Sequence, residues 1–180
     1  IKPDVIINCG GGIFRSPFIE IPKIGIINAH MGLLPNYRGM NVLEWSILNN
    51  DPIGVTLHYI DEGIDTGDII KFKEIKATKT DSIKTLREKS NIINVELITE
   101  YIGNLTSNRK IPRKKQKIED GKQYYKMSLD NLNITGLNNT KAIRFGIAIK
   151  PFINDANDQI SSTLFEAHAP TIINNIQRIL

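Results

Sequence analysis

Residues 28–67 read NAHMGLLPNYRGMNVLEWSILNNDPIGVTLHYIDEGIDTG, and they decide how the rest of the chain is interpreted. The stretch opens on an Asn-x-His pair and closes on an acidic turn at residues 61–67. Broadly distributed apolar side chains predict a buried helix over residues 40–49. Alternating apolar side chains predict a strand over residues 54–60. Polar and turn-forming residues are denser here than packing requires, so the stretch is a candidate functional site.

Two predicted strands precede this stretch and place it in a sheet. Residues 5–8 and 24–28 are short apolar runs, and residues 17–21 between them predict a short helix that begins at a proline. Strands joined by a helical crossover pair in parallel in α/β proteins. Ligands of such sheets collect beyond the carboxyl ends of the strands. The sequence therefore predicts a ligand-binding edge at residues 10–15 and 28–31.

The chain after residue 67 contains a predicted strand, a predicted helix and then a run rich in Lys and Arg. Residues 68–75 predict a return strand, and Thr80 or Asp81 is the predicted N-cap of a helix that reaches about Gly103. Four apolar side chains are predicted to face inward from this helix: Leu86, Ile93, Leu97 and Ile98. The basic run RKIPRKKQK at residues 109–117 predicts a solvated linker or an exposed strand edge and not a binding patch.

The C-terminal residues are rich in Asn, Thr and Gly and only weakly periodic. Residues 123–127 and 145–152 have strand-like content, and isoleucines within residues 172–180 recur at helical spacing. No sequence repeat is evident in the chain. These features predict a small and irregular C-terminal region.

Composition excludes several classes of protein. The net charge of +4 permits an anionic partner but does not predict nucleic acid binding. Cys9 is the single cysteine, so no internal disulfide forms, which fits a reducing cytosol. No apolar run approaches the ~20 residues that span a bilayer, and the first residues lack a secretory signal. We therefore predict a cytoplasmic protein with no membrane association. Because the chain opens on a strand-like segment without Met, we also predict a fragment.

Asn28 and His30 supply the first chemistry. They are two residues apart at the end of a strand, so their side chains share one face. An amide donor beside an imidazole can bind a developing oxyanion and move a proton. Asp61, Glu62 and Asp65 place carboxylates near the same edge, and a neighbouring carboxylate raises the pKa of an imidazole and orients it. An ordinary hairpin turn beside a hydrogen-bonded histidine is the alternative interpretation.

Other sites have less support. The three histidines, at positions 30, 58 and 168, show no H-x-x-x-H spacing and no cysteine pair accompanies them, so no metal site is predicted. No G-x-S-x-G nucleophile elbow is present. His58 faces away from Leu57 and Tyr59 and either lines the site or is a hydrogen-bonded residue of the sheet. His168 is interpreted as structural.

Three motifs together resemble the folate-dependent formyltransferase family: Asn28-x-His30, LLPNYRG at residues 33–39 and DEGIDTG at residues 61–67. That family includes methionyl-tRNA formyltransferases, glycinamide ribonucleotide formyltransferases and nucleotide-sugar N-formyltransferases. The resemblance covers roughly residues 1–105. It implies an α/β fold with a Rossmann-like core, here incomplete because the first βα units are missing, and a small irregular α+β tail.

The resemblance also implies a catalytic trio of Asn28, His30 and Asp65. A substrate amine would attack the formyl carbon of 10-formyltetrahydrofolate while Asn28 stabilises the oxyanion, His30 handles protons and Asp65 orients His30. Removing such an oxyanion donor typically raises the barrier by ~3 kcal/mol. The implied donor pocket is formed by Ile13, Phe14, Arg15, Ile60, Asp61 and Glu62. Tyr37 and Arg38 are implied to contact the acceptor.

The resemblance divides the chain into three predicted parts. These are the C-terminal portion of the catalytic domain (residues 1–108), a basic linker (residues 109–122) and a small C-terminal extension (residues 123–180). Because the missing N-terminal units complete the sheet in family members, the sequence leaves open whether the fragment is active alone.

The acceptor is the least determined feature. A catalytic domain with a small irregular tail resembles the nucleotide-sugar N-formyltransferases of surface-polysaccharide synthesis, so a small-molecule amine on a nucleotide sugar is favoured. The basic run at residues 109–117 would also suit the linker of a methionyl-tRNA formyltransferase, but the residues that follow are few for its C-terminal barrel. Glycinamide ribonucleotide enzymes are compact single domains. Formyltetrahydrofolate hydrolase and a non-catalytic fragment are the remaining alternatives.

Overall fold

The computed structural model of the protein describes residues 2–10, 12–78 and 80–126. Its strands are β1 (Val5–Asn8), β2 (Gly25–His30), β3 (Tyr37–Gly39), β4 (Gly54–Tyr59), β5 (Ile69–Glu74) and β6 (Lys122–Tyr124), and its α-helices are α1 (Val42–Leu48) and α2 (Ile83–Thr106). Short 3₁₀ turns occupy Phe18–Glu20 and Ile118–Asp120. The predicted features at residues 145–152 and 172–180, and His168, lie outside the described residues.

The main sheet has four strands in the order β1-β2-β4-β5. β1 and β2 pair in parallel, with Val5 opposite Gly25 and Asn8 opposite Asn28. β4 runs antiparallel to β2, and β5 runs antiparallel to β4. The predicted parallel pair, the predicted helix after residue 40 and the predicted return strand are therefore confirmed. The predicted crossover helix is a single 3₁₀ turn.

β2 extends two residues further than the sequence pattern predicted. Its ladder with β4 continues until His30 lies opposite Thr56. The pattern ended the strand at Asn28 because the following residues are not a run of strand-forming side chains. Pairing with β4 extends the strand regardless, so Asn28 and His30 both have a backbone fixed by strand geometry.

Helix α2 begins later than predicted. Neither Thr80 nor Asp81 is its N-cap, since Ser82 occupies that position. The Ser82 hydroxyl accepts from the Thr85 backbone N–H at 3.2 Å, and the Thr85 hydroxyl accepts from the Ser82 backbone N–H at 2.8 Å. This reciprocal pair satisfies two helix-terminal donors. The Asp81 carboxylate instead accepts from the backbone N–H of Thr78.

The buried face of α2 packs on the sheet. Leu86, Ile93 and Leu97 are buried as predicted, and Ile98 is half-buried against the same core. The helix continues past Gly103, where a side chain would meet open space, and ends at Thr106. The core joins both helices to the sheet through these buried side chains: Ile27, Leu43, Ile47, Ile53, Val55, Leu57, Tyr59, Ile75, Leu86, Ile93, Leu97 and Tyr101.

The chain after α2 contacts β5 and then pairs with β3. β6 pairs in parallel with β3, with Tyr37 opposite Lys122 and Gly39 opposite Tyr124. Lys114 forms an isolated antiparallel bridge with Ile69 of β5. The predicted division of the chain into three parts stays a prediction. Within the described residues, none of the helices has the length and apolar character needed to cross a bilayer.

Candidate active site

Strand register brings Asn28 of β2 directly opposite His58 of β4. The Asn28 amide nitrogen lies 3.2 Å from His58 Nε2, and the Asn28 amide oxygen accepts a 3.2 Å hydrogen bond from Asn8. His58 Nδ1 lies 2.7 Å from the carbonyl oxygen of Tyr59, which can only accept. The proton of a neutral His58 is therefore on Nδ1, and Nε2 accepts from Asn28.

His30 is buried at the end of the same strand, with 7% of its surface exposed. Its Nε2 lies 2.8 Å from the carbonyl oxygen of Tyr37, so Nε2 is the donor nitrogen of the neutral ring. Its Nδ1 lies 3.5 Å from Asp65 Oδ2. A proton that arrives at Nδ1 would face this carboxylate and form an ion pair with it.

Asp65 approaches both imidazoles from the turn between β4 and β5. Its Oδ1 lies 3.5 Å from His58 Nε2, and its Oδ2 accepts a 2.9 Å hydrogen bond from the backbone N–H of Gly39. Its backbone φ of 53° is in the left-handed region, which residues other than glycine rarely adopt. The structure therefore brings the predicted trio of Asn28, His30 and Asp65 together with His58.

Burial and mutual contacts set the charges of this cluster. Burial lowers the pKa of His30 below its ordinary value, and the Asp65 carboxylate opposes this only in part. The predicted rise in the His30 pKa is thus outweighed by burial. Burial alone would raise the pKa of Asp65, but its neighbours His58 and His30 and the backbone N–H of Gly39 together hold it below its ordinary value. Near neutral pH, a neutral imidazole therefore lies beside an ionised carboxylate.

The acidic turn is held by its own side chains and by close backbone approach. Asp61 Oδ1 accepts from the backbone N–H of Gly63 at 3.0 Å and from the hydroxyl of Thr66 at 2.6 Å. A β-carbon at Gly67 would collide with the carbonyl oxygen of Tyr59. Only glycine therefore fits at the second glycine position of the turn, as expected where two backbone segments lie close together.

The two segments predicted to hold the formyl donor meet next to this turn. Arg15 Nη1 donates to the carbonyl oxygen of Glu62 at 2.6 Å. The rings of Phe14 and Phe18 stack with centroids 5.2 Å apart, and Ile13 is 62% exposed. The predicted donor residues are therefore distributed over this junction and the turn: Ile13, Phe14, Arg15, Ile60, Asp61 and Glu62. Their role stays a prediction.

Tyr37 and Arg38, which the resemblance assigned to the acceptor, are 2% and 5% exposed. The Tyr37 hydroxyl donates to the Asp51 carboxylate, and burial is the main cause of its raised pKa. Arg38 Nη2 donates to the carbonyl oxygens of Ile118 and Gly121, each at 2.9 Å. Both side chains thus bind the chain itself, and acceptor binding by them stays a prediction.

Three contributors to the cluster have no role assigned by the sequence motifs. His58 was left with two interpretations, although its place in the strand alternation was a usable signal. Gly39 acts through its backbone N–H, which no side-chain pattern reveals. Gln116 Nε2 donates to the carbonyl oxygens of Asp65 and Gly67 at 3.0 Å and 2.6 Å. Its position in the basic run gave no indication of this contact.

Among residues 2–10, 12–78 and 80–126, no group of three or more His, Cys, Asp and Glu side chains is arranged to hold a metal ion.

Comparison with known proteins places the chain among formyltransferases. It matches the formyl transferase family over residues 1–102. It is 46% identical over 93 residues to the methionyl-tRNA formyltransferase of Thermodesulfovibrio yellowstonii, which covers 51% of this chain and 30% of that protein. It is 38% identical over 122 residues to the enzyme of the same name from Clostridioides difficile, covering 67% of this chain and 39% of that protein. The chain thus spans about a third of the length of these curated relatives.

Solved structures share the fold. The formyltransferase PseJ from Anoxybacillus kamchatkensis, in complex with UDP-4,6-dideoxy-4-formamido-L-AltNAc and tetrahydrofolate, is 30% identical with a TM-score of 0.60, covering 69% of this chain and 65% of that one. A 4-N formyltransferase from Francisella tularensis is 29% identical with a TM-score of 0.60, covering 72% of this chain and 55% of that one. The predicted α/β, Rossmann-like fold is confirmed, and the chain covers part of it.

The family match spans more than half of the chain and contains every residue of the Asn28, His30, His58 and Asp65 cluster. The resemblance seen in the sequence motifs is therefore confirmed, and the protein belongs to the formyl transferase family.

Proposed function

We propose that the protein transfers the formyl group of 10-formyltetrahydrofolate to the primary amine of a nucleotide-linked amino sugar. The observation that carries the proposal is the convergence of Asn28, His30 and Asp65, with Asp65 Oδ2 3.5 Å from His30 Nδ1. Acyl transfer to an amine needs a hydrogen-bond donor for the developing oxyanion and a group that moves protons. The amide, the neutral imidazole and the ionised carboxylate supply both.

Asn28 is the proposed oxyanion donor. Its amide nitrogen carries two hydrogens, and His58 Nε2 can accept only one of them. The amide orientation is fixed from both ends, because Asn8 donates to its oxygen. An N–H fixed in this way stabilises the charge that develops on the formyl oxygen without reorganising during the reaction.

His30 is the proposed proton carrier. Burial keeps it neutral near pH 7, so it can accept the proton that the attacking amine loses. The resulting imidazolium is stabilised by ionised Asp65, whose carboxylate faces Nδ1. The same proton then passes to the leaving nitrogen of the donor as its bond to the formyl carbon breaks. Asp65 orients the ring throughout.

The proposed donor pocket lies at the junction of the Arg15 segment and the acidic turn. The hydrogen bond from Arg15 to the Glu62 carbonyl holds the two segments together. Ile13 leaves an apolar side chain exposed there, beside the stacked Phe14 and Phe18. Apolar surface edged by backbone polar groups suits a flat heterocycle such as a pterin. The donor supplies an activated formyl group when bound.

Structural likeness supports the sugar acceptor. The solved structures named above include one in complex with a UDP-linked formamido sugar, which is 30% identical to this chain. A dTDP-linked amino sugar accompanies an N-formyltransferase from Helicobacter canadensis, which is 26% identical with a TM-score of 0.56. These nucleotide sugars are bound by the two similar proteins, and they support a nucleotide-linked amine as the acceptor of this one.

A tRNA acceptor is the second candidate. The curated relatives named above are methionyl-tRNA formyltransferases. The exposed cations of residues 109–117 would suit a phosphate backbone, which clustered Lys and Arg bind. They would equally suit the diphosphate of a nucleotide sugar, so charge alone does not separate the two.

An acceptor panel tests the proposal. The full-length gene product would be supplied with 10-formyltetrahydrofolate and, in separate reactions, a UDP-linked 4-amino sugar, a dTDP-linked 3-amino sugar, methionyl initiator tRNA, glycinamide ribonucleotide or no amine. We expect formamide formation on a nucleotide sugar, with stoichiometric release of tetrahydrofolate. Transfer to the tRNA alone would replace the sugar by the second candidate. Donor hydrolysis without transfer to any amine would contradict amine formylation.

A further inference from the structure

A segment predicted to be a solvated linker or an exposed strand edge lies next to the candidate site. We call residues 113–121 the strap. Its first end is fixed at β5, where Lys114 and Ile69 exchange two backbone hydrogen bonds of 2.8 Å. The guanidinium carbon of Arg113 also lies 3.7 Å from the centroid of the Tyr59 ring, within cation–π range.

The other end of the strap is fixed at β3. Buried Arg38 donates to the carbonyl oxygens of Ile118 and Gly121. Gly121 packs so closely on Pro35 that a β-carbon there would collide with the Pro35 carbonyl oxygen. The strap is therefore held at both ends by contacts with the catalytic domain, and the residues between have a defined place.

Gln116 lies between these two ends and contacts the acidic turn. Its Nε2 donates to the carbonyl oxygen of Asp65 at 3.0 Å and to that of Gly67 at 2.6 Å. Since carbonyl oxygens only accept, the orientation of the Gln116 amide is unambiguous. One side chain thus ties together the two ends of a three-residue segment whose first residue has a left-handed backbone.

The Asp65 carboxylate and the Asp65 backbone are held by different elements. The Gly39 N–H of β3 binds the carboxylate, whereas Gln116 of the strap binds the carbonyl oxygen. A left-handed non-glycine residue persists only where its surroundings hold it. Without the two Gln116 bonds, the turn would lose contacts that keep the carboxylate 3.5 Å from His30 and from His58.

We infer that Gln116 is a positioning residue: through the backbone of Asp65 and Gly67 it sets the distance between the Asp65 carboxylate and His30. The inference rests on the proposed function for its effect on turnover, but the positioning itself is a property of the folded chain. The strap therefore helps to hold a residue of the candidate site in position, in addition to connecting α2 with β6.

The test replaces Gln116 by methionine, which keeps the length of the side chain and removes both donors. The control is Gln123→Met, the same change at an exposed position of β6. In the full-length protein, the titration of the His30 imidazole is followed by NMR. Because the carboxylate raises the His30 pKa, its displacement in Gln116→Met should move the titration midpoint to lower pH. Gln123→Met should titrate like the unaltered protein.

Turnover gives the second readout. With 10-formyltetrahydrofolate and the amine that the panel identifies, kcat of Gln116→Met should fall by on the order of 100-fold, as a misplacement of about 1 Å can cause. KM for the donor should change less than kcat, because Gln116 contacts residues 65 and 67 and not the Arg15–Glu62 junction of the proposed donor pocket. Should Gln116→Met fail to fold, Gln116→Glu keeps the shape, has no donor when ionised, and is compared with Gln123→Glu for the same loss of kcat.

Two results would overturn the inference. One is a folded Gln116→Met protein whose His30 titration and kcat match those of Gln123→Met. The other is a Gln116→Glu protein with the kcat of Gln123→Glu. Failure of the proposed function is a separate outcome, since the titration of His30 needs neither donor nor acceptor.

Discussion

The two halves of the candidate site are fixed by different kinds of structure. Asn28 and His30 lie on β2, which has β1 on one side and β4 on the other. Asp65 lies on a turn, in a left-handed conformation, and is held by Gly39 and Gln116 from two other elements. The strand half is determined by a ladder of backbone hydrogen bonds, and the turn half by a few specific contacts.

This difference predicts different responses to substitution. A side chain on a central strand can be removed while the ladder that positions its neighbours stays intact. A change in the turn alters the backbone itself, so it moves the Asp65 carboxylate along with the substituted residue. Chemistry and stability should therefore separate on β2 and change together in the turn.

The largest effect is expected for His30→Ala in the strand half. Loss of the proton carrier should lower kcat by about 10²- to 10⁴-fold, the usual contribution of general acid–base catalysis. Circular dichroism should show an unchanged fold, because β2 keeps its partners on both sides. The measurement is steady-state turnover with the amine found in the panel.

Lys71→Ala on β5 is the matched strand control, since it removes an exposed side chain that forms an ion pair with Glu100 and contributes nothing to the buried cluster. Its turnover should equal that of the unaltered protein, because exposed ion pairs contribute little. A folded His30→Ala protein with a near-normal rate would remove His30 from the mechanism.

An intermediate effect is expected for Gly67→Ala in the turn half. Its β-carbon would collide with the Tyr59 carbonyl oxygen, so the turn must shift. We expect a loss of about 1–3 kcal/mol in the free energy of unfolding, as for other over-packed positions, together with a lower kcat. Urea denaturation and turnover of the same protein measure both.

Gly103→Ala in α2 is the matched glycine control. Among the described residues, nothing outside its chain neighbours and the backbone of α2 lies within 4 Å of the added β-carbon, and alanine favours a helix interior over glycine by about 1 kcal/mol. It should stabilise the protein without changing kcat. Equal effects of the two substitutions on stability would contradict the view that close contacts define the turn.

The smallest effect is a displaced pH profile. Since only neutral His30 accepts a proton, kcat/KM should fall as the pH drops through the His30 pKa, which burial places below its ordinary value. Asp65 raises that pKa, so Asp65→Asn should move the acidic limb to still lower pH while reducing the maximal rate. An acidic limb that shifts upward in Asp65→Asn would contradict the electrostatic coupling of the two halves.

Sequence patterns predicted most of the strand half, although pairing with β4 was needed to extend β2 from Asn28 to His30. The spacing of Asn28 and His30 places them on one face of a strand whatever the strand pairs with. The apolar spacing of α2 likewise predicted Leu86, Ile93 and Leu97 in the core. The first residue of α2 was not predictable in this way, because Thr80, Asp81 and Ser82 are all competent caps and the choice depended on hydrogen bonds with Thr85.

The turn half shows what a linear pattern does not contain. The acidic turn and its glycines were recognised, but Gln116 is 51 residues from Asp65 and lies in a basic run that gave no indication of this contact. Gly39 contributes a backbone N–H, and His58 acquires its partners from strand pairing. Tyr37 and Arg38, conspicuous in sequence, are buried by contacts with residues far along the chain.

The sequence by itself thus predicted the α/β class from local apolar spacing and the family from three motifs, and the resemblance to that family implied the three side chains proposed for catalysis. The tertiary structure alone decided how the carboxylate is aimed at the imidazole, that burial lowers the His30 pKa, and that the basic run contributes a positioning amide. The physical reason is range: strand and helix periodicities act over a few residues, whereas burial and the Asp65 geometry arise from segments brought together by the folded core.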